Sequence, residues 1–371
     1  MTPVLVLSQE DVVELLDMEG CIGAMEEALR SLARGEAFLP LRPVVRPPGE
    51  PTFLGLMPVH RGGERPVYAL KTVAIAPENA ARGLDPHQGT VTLFDGVTGQ
   101  TLAVMNASPV TSIRTAACSA VATRVLARED AVELAVVGSG HQAHAHVQAM
   151  LAVRDFRRVR IASRNVDHAA ALAAEFPNAE ASESPEAAVR GADVVVTATS
   201  SPEPVLERAW LKDGAHVNAV GACFPHTREL DTATVADSCF FVDRRESAEN
   251  EAGDLLIPLH EGAIDDRHIR GELGEVLVGS APGRTSPDEI TVFESLGLAI
   301  EDLFAAEEGA IGPDHIRAEI GEILVGKHPG RTSPDELTVF KSLGLAVEDL
   351  AAAEYIVRRA QESGVGTTVE F

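Results

Sequence analysis

The chain has 371 residues, 45% of them hydrophobic and only 4% aromatic, with 56 acidic against 31 basic side chains and a formal charge of −25. That length can bury a large core and suits two domains, while the charge argues against nucleic acid or an anionic membrane as the main partner, since either would be repelled by most of the surface. Cys21, Cys118, Cys223 and Cys239 are the only cysteines and show no CxxC spacing, so neither a disulfide framework nor a zinc knuckle is expected. A reducing cytoplasm fits, and no basic leader or bilayer-length apolar run points to export or anchoring.

In chain order, Ser8 can cap a helix opening on Gln9-Glu10-Asp11, and residues 18–33 read as a second amphipathic helix ending near Gly35. Short runs follow, separated by Gly/Pro turns: Arg42-Pro43-Val44-Val45, Thr52-Phe53-Leu54-Gly55-Leu56-Met57, Tyr68 through Ala74 and Gly89 through Asp95. Thr98-Gly99 closes a hairpin into Thr101-Leu102-Ala103-Val104-Met105. This is the pattern of an antiparallel or mixed sheet. Residues 112–127 then read as a helix rich in small side chains.

Leu134-Ala135-Val136-Val137 reads as a buried parallel strand, Gly138-Ser139-Gly140-His141-Gln142-Ala143 as a tight turn, and the alanine-rich run behind it as a helix pointing back at that turn. Unpaired helical N–H groups and the positive dipole end face space vacated by the missing Cβ atoms, an arrangement suited to a pyrophosphate. Further strands are expected at Val159-Arg160-Ile161-Ala162, more weakly near Ala179, at Asp193-Val194-Val195-Val196-Thr197, and at His216 through Gly221. The fold class expected is therefore α/β, a Rossmann dinucleotide-binding domain beside a mixed α+β domain.

After the second strand stands Ser163-Arg164-Asn165, where an NAD-binding domain usually carries an acid for the ribose 2′-hydroxyl. Without that acid a 2′-phosphate is accepted, so NADP(H) is expected to be preferred and NAD(H) possible. Thr197-Ala198-Thr199 and Val220 would line the cofactor edge. Arg42, Lys71 and Arg114 are cations among apolar and small residues of an acidic protein. Two readings stand side by side: each pairs with an internal acid, or together they capture a substrate carboxylate. His87, placed in a loop, either shapes the pocket, acts as an acid or is merely solvated. His141, His144 and His146 fall on different helix faces with no carboxylate near in sequence, so no metal is expected and His141 is read as part of the cofactor loop.

Lys71-Thr72-Val73, Pro77-Glu78-Asn79, Gly83 through Gly89, Leu93-Phe94-Asp95, Thr111 through Ala117, Asn218-Ala219-Val220-Gly221, Arg228-Glu229-Leu230 and Ser342 through Asp349 follow one another as in the ornithine cyclodeaminase/mu-crystallin family, which the chain resembles over nearly its whole length. The resemblance implies a substrate and dimerisation domain (1–124, completed by about 335–371) wrapped around a Rossmann domain (125–260), a homodimer, and an active site between them. It also assigns Arg42, Lys71 and Arg114 to the substrate carboxylate, with Lys71 available for proton exchange. Ornithine cyclodeaminases carry a glutamate and an aspartate where this sequence has Gly55 and Cys223, so a diamine would lack a counter-charge. The loop is similar to that of the reductase branch. The expected reaction is thus NAD(P)H-dependent reduction of Δ1-pyrroline-2-carboxylate or Δ1-piperideine-2-carboxylate to L-proline or L-pipecolate. The alternatives are an L-amino-acid dehydrogenase, an ornithine cyclodeaminase, and a crystallin-like NADPH-binding protein without turnover.

One feature departs from the family. Residues 261–306 recur almost unchanged at 308–353, with Pro-Gly-Arg-Thr-Ser-Pro-Asp-Glu beginning at Pro282 and again at Pro329. Two copies are too few for a solenoid. Because the second copy runs on into Tyr355-Ile356-Val357, it is expected to supply the returning helix, leaving the first copy extruded, swapped between subunits or poorly ordered.

Overall fold

The computed structural model describes residues 4–82 and 84–310. Two sheets share the chain. The first has seven strands: β1 (Leu5–Leu7), β2 (Ala37–Phe38), β3 (Val44–Val45), β4 (Phe53–Arg61), β5 (Val67–Ile75), β6 (His87–Asp95) and β7 (Thr101–Asn106). It is antiparallel except where β1 joins β7, and its order is β1-β7-β6-β5-β4-β2 with β3 also on β4. Buried and less buried residues alternate along β4 and β5, so one face packs inward while the other carries the exposed Tyr68.

Helices α1 (Gln9–Leu15), α2 (Met18–Ala33) and α3 (Ala107–Leu126) are interleaved with these strands. Ser8 and Asp11 form the expected capping box of α1, and Gly35, φ 73°, lies just beyond α2. α3 begins a turn earlier than the expected 112–127, because Asn106 at the end of β7 accepts the Ser108 N–H at 2.9 Å and caps the helix there. Fourteen of its residues are buried, most of them small, so α3 has no polar face and joins the two sheets as a central helix.

The second sheet is wholly parallel and eight-stranded: β8 (Glu133–Val137), β9 (Arg158–Ala162), β10 (Ala179–Ala181), β11 (Val194–Thr197), β12 (His216–Ala219), β13 (Cys239–Val242), β14 (Ile269–Glu272) and β15 (Thr291–Glu294), in the order β10-β9-β8-β11-β12-β15-β13-β14. Its helices are α4 (His141–Val153), α5 (Val166–Ala173), α6 (Pro185–Val189), α7 (Thr232–Ala236), α8 (Arg245–Glu251), α9 (Gly253–His260) and α10 (Leu273–Val278). The expected α/β class with a Rossmann-type sheet is what forms. No helix among the described residues is long and apolar enough to cross a membrane.

Two expectations are corrected here. The parallel sheet does not stop at residue 260: β14 and β15 both come from the first repeat, and β15 fills the place between β12 and β13. The chain then turns at Gly297, φ 81°, into α11 (Ala299–Ala310), which packs on α2, α3 and the inner faces of β4 and β5. The first repeat therefore occupies the position assigned above to the second. Ile300, Leu303, Ala305 and Ala306 are all buried, enough apolar surface to hold the short helix without the longer continuation. The alternative supplied by residues 338–360 lies outside the described residues.

Candidate active site

β8, β9, β11 and β12 are adjacent parallel strands, so their C-terminal ends lie together on one edge of the sheet. β8 leads into Gly138, φ 137°, a conformation side-chain-bearing residues rarely adopt; a Cβ there would also stand 2.4 Å from the Ala198 carbonyl oxygen. Gly140 N-caps α4 without a side-chain cap, and no atom lies within 4 Å of where its Cβ would be. The first N–H groups of α4 are thus left to a ligand. The Oε1 of Gln142 is buried without a hydrogen-bond partner, and the Ser139 and Ser163 hydroxyls lie 2.8 Å apart, tying the turn to the end of β9. These features fit a dinucleotide pyrophosphate.

His141 is exposed on the first turn of α4, and Arg164 is exposed beyond β9. Asn165 caps α5 by accepting the Asp167 N–H at 2.9 Å. His146 is instead a core residue between Ser119 Oγ (3.0 Å) and Gln142 O (2.7 Å), and burial pushes its pKa down to about 4. His144 lies 3.1 Å from Glu175.

Thr197, Ala198 and Thr199 leave β11 beside this turn, and Val220 N donates to Thr197 O at 3.0 Å. A residue missed in the sequence reading, Glu229, holds them. It is fully buried, accepts Thr199 N and Oγ1 at 2.6 and 2.5 Å, and accepts Gly221 N at 2.7 Å. Its place in Arg228-Glu229-Leu230, a matching motif, was the available signal.

The three cations converge from different elements. Lys71, on β5 opposite Met57, donates from Nζ to Asp302 Oδ1 at 3.1 Å and Oδ2 at 3.3 Å. Arg114, in the middle of α3, donates from Nε to Asp302 at 3.1 Å and from Nη1 to Glu301 at 2.7 Å. Arg42 pairs with Glu251 of α8 and donates to the Leu296 carbonyl at 3.3 Å. In this structure the internal-acid reading therefore describes all three. Glu301 and Asp302 come from the first turn of α11, where the helix dipole favours acids; they are the first-repeat counterparts of Glu348 and Asp349 in the motif quoted above, but their partners are far off in sequence.

Burial pushes Lys71 down to about 8, against the opposing charge of Asp302. Asp243 accepts the Leu296 and Gly297 N–H groups at 2.7 and 2.8 Å and so fixes the turn against the cations; burial and the nearby Glu301 push its pKa up. A Cβ on Gly297 would come within 2.7 Å of both Arg114 terminal nitrogens, so only glycine lets the turn pack this closely on the guanidinium. Beside it opens a small cleft lined by Leu39, Arg42, Met57, Glu251, Gly297 and Leu298 among others.

Gly55 is on the buried face of β4 between Phe53 and Met57, opposite Val73. Cys223 is in the loop after β12, its Sγ 3.5 Å from the Val220 carbonyl oxygen. Next to each stands an aromatic ring: Phe53 and Phe224 meet edge to face at 5.9 Å, with the Arg46 guanidinium 4.0 Å over Phe53. His87, expected in a loop, is instead the first residue of β6, half-exposed and 3.7 Å from Asp85. The structure does not bring it to the three cations.

A dinucleotide turn at the switch of a parallel sheet, in a chain whose second sheet and central helix hold the buried cations Lys71 and Arg114, is the arrangement of a nicotinamide-dependent oxidoreductase. The chain belongs to the ornithine cyclodeaminase/mu-crystallin family, whose model matches residues 3–308 and again 305–364. It is 37% identical to the mouse (Mus musculus) ketimine reductase mu-crystallin over 81% of this chain and 95% of that one. It is also 35% identical to a Δ(1)-pyrroline-2-carboxylate reductase of Bacillus cereus, over 82% and 94%. Among solved structures, the Thermococcus litoralis Δ(1)-pyrroline-2-carboxylate reductase in complex with NADH and L-proline superposes with a TM-score of 0.80 at 36% identity, covering 82% of this chain and 96% of that one.

Proposed function

We propose that the protein reduces a cyclic ketimine carboxylate, Δ1-pyrroline-2-carboxylate or Δ1-piperideine-2-carboxylate, to L-proline or L-pipecolate, and that it prefers NADPH to NADH. The observation that carries the reading is the convergence of Lys71 and Arg114 on Asp302 with Arg42 nearby, and Gly55 and Cys223 standing at the two positions where a diamine substrate would need a carboxylate. The named activities of the relatives support the same reaction class.

When bound, the nicotinamide supplies the hydride. The protein's part is to hold the imine carbon against it: Gly138, Ser139, Gly140, His141 and Gln142 seat the pyrophosphate, and the cations fix the substrate carboxylate. Asp302 and Glu301 hold Lys71 and Arg114 in place before substrate arrives, while Arg42 lines the cleft. The incoming carboxylate competes with Asp302 and Glu301 for these donors. Lys71, with its ammonium destabilised by burial, is the residue placed to give a proton to the imine nitrogen. Phe53 and Phe224 offer the ring an apolar wall.

A panel of cyclic imines, 2-oxo acids with ammonia, and L-ornithine, each with NADPH and with NADH, tests the proposal by loss or gain of reduced-cofactor absorbance. Consumption of NADPH that needs an imine but no ammonia is expected. Turnover only with ammonia would identify an amino-acid dehydrogenase, and cofactor binding without turnover a crystallin-like role.

A further inference from the structure

Two residues of α3 have partners in different parts of the molecule. Arg114 is bonded to Asp302 and Glu301 of α11. Five residues on, about 140° round the helix, Ser119 is bonded to His146 of α4. Ser119 and His146 are both fully buried, and their Oγ and Nε2 atoms lie 3.0 Å apart. The other ring nitrogen of His146, Nδ1, lies 2.7 Å from the carbonyl oxygen of Gln142, in the first turn of α4. A carbonyl oxygen only accepts, so Nδ1 carries the ring proton; Nε2 is then the acceptor and the Ser119 hydroxyl the donor. Burial pushes the pKa of His146 down to about 4, which keeps the ring in this neutral form near neutral pH.

Nothing in the packing of the core requires such a pair. The neighbours of Ser119 along the helix are Cys118 and Ala120, both buried, and an alanine at 119 with a phenylalanine at 146 would fill similar space with no polar group to satisfy. A fully satisfied buried polar pair fixes geometry, and what this one fixes is the place of the cofactor turn relative to Arg114. From Arg114 to Ser119 is about 7.5 Å along α3, and from Gln142 to His146 is about one turn of α4. One hydrogen bond thus closes a short path from the substrate cation to the residues that seat the pyrophosphate. A second tie, from Asn218 Nδ2 to Thr123 Oγ1 at 3.0 Å, joins α3 to β12 one turn further along. It keeps α3 on the parallel sheet when the first tie is cut, so the effects of the Ser119–His146 bond on stability and on position are separable.

We propose that Ser119 and His146 are positioning residues for hydride transfer: their hydrogen bond clamps the first turn of α4 to α3 and so sets where the bound cofactor stands relative to a carboxylate on Arg114. Both act through the two helices, not by contact with either ligand. The inference rests on the reductase reading for the reaction itself and adds the residues that fix its geometry. A misplacement on the order of 1 Å costs about a hundredfold in rate, so a helix end freed from one clamp has little room to move unnoticed.

Ser119→Ala leaves the ring without its donor, His146→Phe keeps a ring without either nitrogen, and the double variant removes the pair. In protein free of cofactor and substrate, amide hydrogen exchange across residues 141–147 is expected to quicken severalfold in each variant, while exchange in β8 and β11 stays as in the parent. With NADPH and an imine that the parent turns over, kcat should fall about tenfold or more, while KM and the NADPH dissociation constant stay within about twofold. The isotope effect on kcat, from NADPH deuterated at the transferred position, should rise. The double variant should lose no more than either single one, because all three cut the same bond. Ser119→Ala, which deletes one oxygen, decides the matter should His146→Phe not fold. Unaltered kcat in Ser119→Ala would overturn the proposal whatever the exchange shows. So would a fall in kcat matched by weaker NADPH binding with the isotope effect unmoved, the result of a loosened fold alone. A parent inert toward every compound of the panel would remove the reductase reading and the clamp's role with it, whereas an active parent with equally active variants would remove the clamp alone.

Discussion

Lys71 and Arg114 are buried cations whose donors are partly spent on Asp302 and Glu301, so their value to catalysis depends on what remains for a substrate carboxylate. Truncating one partner of a desolvated charge pair typically costs about 2–5 kcal/mol. Lys71→Ala and Arg114→Ala are each expected to lower kcat/KM more than tenfold while leaving NADPH binding, followed by nucleotide fluorescence, unchanged; near-normal kcat/KM in both would mean the carboxylate is held elsewhere. Burial of Lys71 also sets two pH effects of opposite sign. Its pKa in the folded protein, about 8, is below the ordinary 10.5, so between those values the unfolded chain binds more protons. The stability cost is then full below about 8 and is relieved as pH rises toward 10.5. Carboxylate capture runs the other way, since the neutral amine attracts no anion. The kcat/KM profile should fall with an apparent pKa near 8, and the kcat profile should fall at higher pH, because bound substrate stabilises the ammonium. Superimposable profiles with no descending limb would remove Lys71 from that role. At the cofactor end, the exposed Arg164 has no acid beside it to repel a 2′-phosphate. Arg164→Asp should weaken NADPH and spare NADH, and equal kinetic constants for both cofactors before and after the change would contradict the NADPH preference.

At the scale of elements, the strand–turn–helix from β8 to α4 was legible because its signal is local: an apolar run, two glycines and a helix follow one another within a few residues. Its tolerance is equally local. Gly138→Ala must fit a Cβ 2.4 Å from the Ala198 carbonyl oxygen at a positive φ. The turn should open, with NADPH and NADH affinity lost together while the β-sheet circular dichroism signal is retained; unaltered affinity would mean the pyrophosphate is not seated there. α3 was placed correctly in type but entered late, since its start depends on the Asn106 side chain and not on a change in hydrophobic period. β15 escaped the sequence reading because four buried residues inside a repeat look the same in both copies. What places the first copy's strand in the sheet is contact with β12 and β13, residues far away in the chain.

For the whole molecule, the face of the first sheet away from α11 bears Tyr68 and, on the neighbouring short strands, the exposed Phe38 and Val45. An apolar strip on a sheet face invites a partner, and a second copy of the same sheet is complementary to it by symmetry. We expect the protein to sediment as a dimer. Tyr68→Glu, whose ring otherwise stacks on His60 at 4.5 Å, should shift it toward monomer at a given concentration; a monomeric parent, or a dimer indifferent to the change, would place the interface elsewhere.

What the amino-acid order determined alone was whatever depends on near neighbours: the α/β class, the glycine turn, the acidless end of β9, the family motifs and the repeat itself. It also singled out Arg42, Lys71 and Arg114, because cations in apolar runs of an acidic chain are conspicuous. Only the tertiary structure decided their partners, since Asp302 and Glu301 reach Lys71 and Arg114 from residues distant in the chain through the turn at Gly297. It likewise decided that His146 is core, that His87 lies apart from the cations, and that Glu229 and Asp243 hold the site loops. These assignments depend on which residues share a buried, low-dielectric space, and a linear sequence records spacing along the chain, not proximity across it.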